Sequence, residues 1–486
     1  MKNKLIKILF IISIILLLIP SILYITNNKT IFKFNNYYTY TLTDKYTNIQ
    51  EGIMYLAIMI AVSILYILII KKQRKIFQNI KQIGIYIIIV SILFAFMLPN
   101  TSSDIYYYFG VGRMQNKYNA NPYYESMNDV MANNEQAQKD EIMRNTPEVW
   151  RDITVVYGPV WTLMCNILTL ISFNSVNWIL VVFKTFNLII HLLNCYMIYK
   201  ITKKKLYVII YGLNPLVLLE GIVNVHNDIF VVFLILMSLY FLLKKKNILL
   251  SVVFLGITAG IKYITLLLLP FILIYYFRKE KINIRFYKCI KYGIIFVLIL
   301  LFFYLIYAQD LSILDGLSKQ QGKFSKSISL TIYYLVKDFV ENPIEYAVKA
   351  KNIFFVVFVI IYIIIAIWQL LEKNVKFHKA ISMFAITLFI FMFVVLTTFQ
   401  PWYMHWIFPI IMWQKPKVQK VLIWITVFTN LCNSIFIFFC ESAVFGTGFV
   451  ILMIISAIIS ILINSKITRK GDNLIGKEKI SFNRWK

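Results

Sequence analysis

Apolar runs of about 20 residues alternate along the whole chain with short basic or polar breaks, and each run is enough to cross a hydrocarbon layer of ~30 Å. The pattern predicts an all-α fold, a polytopic transmembrane helical bundle. Runs at 5–26, 53–70 and 82–98 form an N-terminal group, 1–98. A long polar stretch follows, 99–175, holding most of one large loop and a further apolar run at 154–172. A membrane core spans 176–308, with helices at 176–199, 206–223, 229–243 and 288–308, and a pair over 247–277 broken at Gly260-Ile261-Lys262. After a second loop, 309–351, crossings at 352–370, 380–399, 402–414, 420–439 and 446–463 make a C-terminal group, 352–464. A basic tail, 465–486, closes the chain. The total is about fourteen spans.

Charge sets the expected topology. The net charge is +28, but the cations cluster between apolar runs, in KKQRK, KITKKK, KKK, RKEKINIRFYK and KPKVQK. Such clusters mark cytoplasmic loops facing anionic lipid, and no segment offers a basic soluble surface for nucleic acid. Lys2, Lys4 and Lys7 precede the first apolar core, which lacks a small-residue cleavage site, so residues 5–26 read as an uncleaved first helix. If 154–172 and 176–199 both crossed, KITKKK would fall outside, against the charge rule. The run 154–172 is therefore expected on the outer surface as a juxtamembrane or re-entrant helix. Both termini are then cytoplasmic, in a multi-pass cell-membrane protein. The five cysteines lack paired spacing, which argues against a disulfide framework or a zinc site.

With this topology the unusual residues gather on the outer face. Asp104 opens a short helix at the first large membrane exit, capped by Ser102 or Ser103 and stopped at Asn121-Pro122. Tyr108 follows one turn on, then Arg113, Asn121 and Tyr123. The surface run adds Tyr157; EGIVNVHND adds His226, Asn227 and Asp228; the break at 260–262 adds Lys262; and QPWYMHW adds Gln400, Trp402 and Tyr403. Each has a plainer reading. Asn227-Asp228 serves as a helix cap, the aromatic residues form an interfacial belt, and a lysine snorkels. Lys184 reads either as a snorkelling cation or as a phosphate contact. Asp104, His226 and Asp228 are the residues a divalent metal would use, but their spacing carries no ligand signature, and no cofactor is expected.

The succession D-I-Y-x-Y-x-x-x-G-R, N-P-Y, Y-G-P-V-W, N-P-L-V-L-L-E with H-N-D, G-I-K-Y and Q-P-W-Y, over roughly Ser102 to Pro409, resembles polyprenyl-phosphate-sugar-dependent glycosyltransferases of the GT-C class. It looks most like bacterial envelope alpha-mannosyltransferases. The resemblance implies a GT-C-like bundle, a polyprenyl-phosphate sugar donor in the membrane lipid and a glycan or glycolipid acceptor. It assigns the catalytic base to Asp104. Where many relatives have D-G-R this chain has Val111-Gly112-Arg113, which leaves the sugar open. The chemistry asks for cations at the leaving phosphate, a role suited to Arg113 and Lys262. One carboxylate must also take the acceptor's proton. Tyr108, Asn121, Tyr123, Tyr157, His226, Asn227, Asp228, Gln400, Trp402 and Tyr403 are the expected donor or acceptor contacts. The competing readings are a lipid-linked oligosaccharide or polysaccharide transporter or flippase, and a polymerase. The first lacks repeated halves, and the second would carry its large loop late in the chain.

Overall fold

The computed structural model describes residues 2–28, 49–310, 313, 327–373 and 375–439. The expected crossing at 446–463, the basic tail, Cys440, most of the first outer loop (29–48) and the second-loop residues Asp315, Lys319, Lys323 and Lys326 lie outside them. The described residues are 80% helical and include no strand.

Among the described residues, six helices are long and apolar enough to cross a membrane: Asn3–Tyr24, Gly52–Ile76, Trp178–Thr202, Ile282–Leu305, Pro343–Leu371 and Phe377–Val395. The pair Lys205–Gly212 and Pro215–Val223, bent by 53°, makes a seventh if counted as one. Shorter apolar helices run Ile80–Ala95, Pro159–Ile171, Ile248–Ala259 and Tyr263–Tyr276. Outward faces remain apolar: Leu298, Phe302 and Leu305 are 58%, 65% and 73% exposed. An uncovered stripe of that kind requires hydrocarbon rather than water around it. The protein is a helical membrane protein.

The breaks have chemical causes. At the bend, Pro215 can donate no backbone N–H, and Asn214 Oδ1 accepts from the amides of Leu216 and Val217 at 3.0 and 3.4 Å, restarting the helix. Asn214 Nδ2 donates to Tyr66 Oη and Thr426 Oγ1, pinning the kink to two other helices, Ile49–Ile76 and Pro416–Phe439. The helix Ile248–Ala259 ends at Gly260, and the chain resumes as a 3-10 turn from Tyr263. The segment 402–414, expected from its hydropathy to cross, instead folds as a 3-10 turn, Pro401–Ile407, and a four-residue helix, Phe408–Ile411. Together these rise only ~20 Å, because Pro401 and Pro409 interrupt regular pairing.

The first large loop is a stack of short helices on Asp104–Tyr118: Met127–Asn133, Glu135–Gln138, Glu141–Asn145 and Glu148–Arg151. Asp104–Tyr118 ends at Asn119, left-handed with φ 50°, two residues before the expected stop. It packs against Pro159–Ile171, where a Cβ on Gly112 would stand 2.0 Å from Thr169 Oγ1, so only glycine allows this approach. Gln115 Nε2 and Asn116 Nδ2 donate across the seam to the carbonyls of Thr162 and Asn166, at 3.2 and 2.7 Å. At 13 residues, Pro159–Ile171 is about 20 Å long, short of a hydrocarbon crossing.

Candidate active site

Asp104 occupies the first turn of its helix and is buried. The Ser103 hydroxyl does not cap the helix; it accepts from Trp150 Nε1 at 3.2 Å, while Ser102 Oγ accepts from the Asp104 amide at 3.3 Å. Tyr157, in the turn before Pro159–Ile171, donates its hydroxyl to Asp104 Oδ2 at 2.9 Å. Burial and then the Asp104 charge push that phenol well above its usual range, so it stays protonated as a donor. Tyr108 donates to Tyr157 Oη at 3.3 Å. Tyr123 donates to the Tyr157 carbonyl at 2.9 Å, bracing the same residue from below.

His226 brings a second element to the carboxylate. Its Nδ1 lies 3.6 Å from Asp104 Oδ2, and its Nε2 lies 3.3 Å from Glu220 Oε2. Neither contact is aligned as a hydrogen bond in this geometry. The ring stacks on Trp402, centroids 3.6 Å apart and planes 17° from parallel. Burial pushes the imidazole down to about 4, against the pull of Asp104 and Asp228, so the ring is neutral. Glu220 is wholly buried; it accepts from Thr101 Oγ1 at 3.3 Å and from Asn224 Nδ2 at 3.0 Å. Asn224 Oδ1 in turn accepts from the amides of Asn100 and Thr101, tying this turn to the entry of the Asp104 helix.

Lys262, delivered by the helix break, meets both oxygens of Asp228 at 2.8 and 2.7 Å. Trp406 Nε1 donates to Asp228 Oδ1 at 2.7 Å. Around the ammonium stand the faces of Tyr403, Trp406 and Tyr157, at 5.1, 5.6 and 6.0 Å. Tyr157 therefore joins the two halves, its hydroxyl on Asp104 and its ring facing Lys262. Asn227, between His226 and Asp228, is wholly buried, and neither side-chain atom has a partner among the described residues. Gln400 caps the turn that carries Trp402 and Tyr403, its carbonyl accepting from the Tyr403 amide at 3.1 Å.

The structure thus gathers Asp104, Tyr108, Tyr123, Tyr157, His226, Asp228, Lys262, Trp402 and Tyr403. Asn121 lies at the edge, its Nδ2 donating to the Tyr307 carbonyl at 2.8 Å. Arg113 is not brought in. Nine residues past Asp104 on one helix, it points to the opposite side and lies ~14 Å along the axis. There its Nε meets Asp140 Oδ2 at 2.9 Å and its Nη1 donates to the Asn174 carbonyl. Lys184 is no phosphate contact either: buried, it donates to the carbonyls of Met97, Ile222 and Val223, at 2.6, 3.4 and 3.1 Å. Glu220 and Trp406 sit in motifs the sequence groups together, yet spacing gives them no role. Thr101 carries no signal beyond its place ahead of Asp104. Among the described residues no group of three or more His, Cys, Asp or Glu side chains is arranged to hold a metal ion.

No curated protein and no solved structure matches the chain at a significant level. A family model described as alpha-(1->6)-mannopyranosyltransferase, N-terminal domain, matches residues 20–278, just over half of the chain and all of the site except the Trp402–Trp406 wall. The chain belongs to this mannosyltransferase family and is a membrane glycosyltransferase.

Proposed function

We propose that the protein moves a mannosyl group from a polyprenyl-phosphate donor to a hydroxyl of an envelope glycan or glycolipid, inverting the anomeric centre on the outer membrane face. The observation that carries this reading is the pairing, across one tyrosine, of a buried carboxylate and a cation. Asp104 takes the proton of the acceptor hydroxyl as that oxygen attacks the anomeric carbon. The bond from that carbon to the phosphate oxygen breaks, and polyprenyl phosphate leaves with the electron pair. Lys262 has three N–H donors; two face Asp228, and the third meets the developing phosphate charge. A single displacement with one base inverts configuration, by analogy with inverting glycosidases. Trp402 and Tyr403 supply flat faces for the sugar or the lipid chain, and the buried amide of Asn227 is a ready partner for a sugar hydroxyl. The chain supplies both the base and the cation, so the reading needs no cofactor.

The test uses the full chain in lipid nanodiscs with radiolabelled polyprenyl-phosphate mannose, glucose and arabinose and a panel of mannan acceptors. Transfer from the mannose donor is expected, and Asp104→Asn should lower it on the order of 10²–10⁴-fold at unchanged donor binding. Near-native transfer by that variant removes Asp104 as the base; preference for another donor corrects the sugar.

A further inference from the structure

Asp104 is not the only carboxylate against His226. The imidazole is held in place by its stack on Trp402, so its two nitrogens have fixed neighbours: Asp104 on one side, Glu220 on the other. Glu220 is the more deeply enclosed of the two carboxylates. Thr101 and Asn224 donate to it, and Asn433 Nδ2 approaches Oε1 at 3.5 Å. Nε2 is the nitrogen nearer a carboxylate, 3.3 Å from Glu220 against 3.6 Å from Nδ1 to Asp104, so a ring proton on Nε2 faces Glu220. Nδ1 is then a bare lone pair facing Asp104.

That tautomer has a directional effect. Against an ionised Asp104, 3.6 Å away, the lone pair has nothing to accept. Against a protonated Asp104 it accepts a hydrogen bond. The arrangement therefore strengthens only as the base gains its proton, the condition for lowering a barrier rather than tightening a ground state.

We propose that His226 and Glu220 are positioning residues behind Asp104, together forming the relay that receives the acceptor's proton; this rests on the glycosyltransfer reading above. The acceptor O–H bond breaks and its proton binds an Asp104 oxygen. The Asp104 O–H then gives that proton to Nδ1. Asp104 returns to carboxylate, and the imidazolium charge is offset by Glu220. After product leaves, the proton returns from Nδ1 to Asp104, whose side chain is 8% exposed, and from there passes to water. The other charged or titratable groups facing His226 are Asp228, Lys262 and His405. Of these, Lys262 and Asp228 pair with each other, and His405 Nδ1 contacts the Trp402 carbonyl at 2.7 Å.

The protein has four histidines, so ¹⁵N-histidine labelling of the full chain in nanodiscs gives a readable spectrum, with His226 assigned by its loss in His226→Gln. At pH 7 the ring should be neutral with Nδ1 unprotonated, and Glu220→Gln should disturb that preference. In the transfer assay His226→Gln should lower kcat roughly 10- to 100-fold, part of what a full general base contributes, with donor Kd and KM unchanged. The acid limb of kcat should change from two protonations to one. A proton found on Nδ1, an unchanged kcat and limb, or a loss carried by KM and Kd alone overturns the relay. If the native protein transfers no sugar, the glycosyltransfer reading fails, while the tautomer spectrum still decides the proton arrangement independently.

Discussion

Gly158 sits against the carbonyl of Gly260 so closely that a Cβ on Gly158 would stand 2.4 Å from that oxygen. The amides of Val160 and Gly158 close the junction, donating to Gly260 and Ile261 carbonyls at 2.7 and 3.2 Å. This is the joint that sets Tyr157 beside Lys262. Gly158→Ala should part it, at about 1–3 kcal/mol of stability, and should lower transfer by moving Tyr157 off Asp104. Gly84→Ala is the control, since a Cβ there meets nothing within 4 Å and alanine favours a helix interior by about 0.5–1 kcal/mol. Thermal unfolding of the two variants in one detergent should move in opposite directions.

Lys262 and Asp228 should prove unequal partners. Lys262→Ala strands a buried carboxylate with only the Trp406 indole, which costs about 3–5 kcal/mol. The double variant Lys262→Met with Asp228→Asn removes both charges and should restore the fold without restoring donor binding. Donor affinity measured on that folded double variant is decisive: native affinity there takes Lys262 out of phosphate recognition.

Arg113 should matter to stability rather than to donor binding. Burial alone would raise the Asp140 carboxyl, but Tyr118, Lys117 and Arg113 outweigh it and hold the group below the usual carboxylate range. Its folded pKa is thus below the unfolded value of about 3.9. The stabilisation is complete above that value and is lost as pH falls through the folded one. Asp140→Asn should lower Tm at pH 7 and flatten the decline of Tm as pH falls below about 4. Arg113→Lys should also lower Tm, because a single ammonium cannot serve Asp140 and the Asn174 carbonyl together. Donor Kd should stay native in Arg113→Lys; a raised Kd would return the arginine to the site.

Sidedness can be read at two exposed positions. With the native cysteines replaced, Phe173→Cys, at a residue 89% exposed, should react with a membrane-impermeant thiol reagent added outside intact cells. Lys246→Cys, in the KKK cluster, should react only after permeabilisation. Labelling of both from one side overturns the surface placement of Pro159–Ile171.

The fold class was legible because crossing a bilayer imposes a length and a hydropathy that no local detail hides. The place of Asp104 was legible for a related reason: a carboxylate at a membrane exit, ahead of helix-forming residues, opens the helix Asp104–Tyr118 as its sequence suggests. The Gly260-Ile261-Lys262 break showed as a glycine and a cation inside an apolar run. Arg113 misled because nearness in sequence is not nearness on a helix, and its partner Asp140 lies 27 residues on. The 402–414 segment misled because hydropathy averages over prolines that forbid a continuous helix. Lys184 is beyond sequence reasoning of this kind: the three carbonyls it serves come from two other segments.

The reach of Trp406 back to Asp228 also sets a timetable for making the protein. Lys262 follows Asp228 by 34 residues and Trp406 by 178. At about 5–20 residues per second, the ribosome delivers the lysine within roughly 2–7 s of the aspartate, and the indole only after roughly 9–36 s. Throughout that interval Lys262 is the one of these two partners already made. During insertion Lys262 is thus the first of these two partners available to Asp228, and the indole completes the pair.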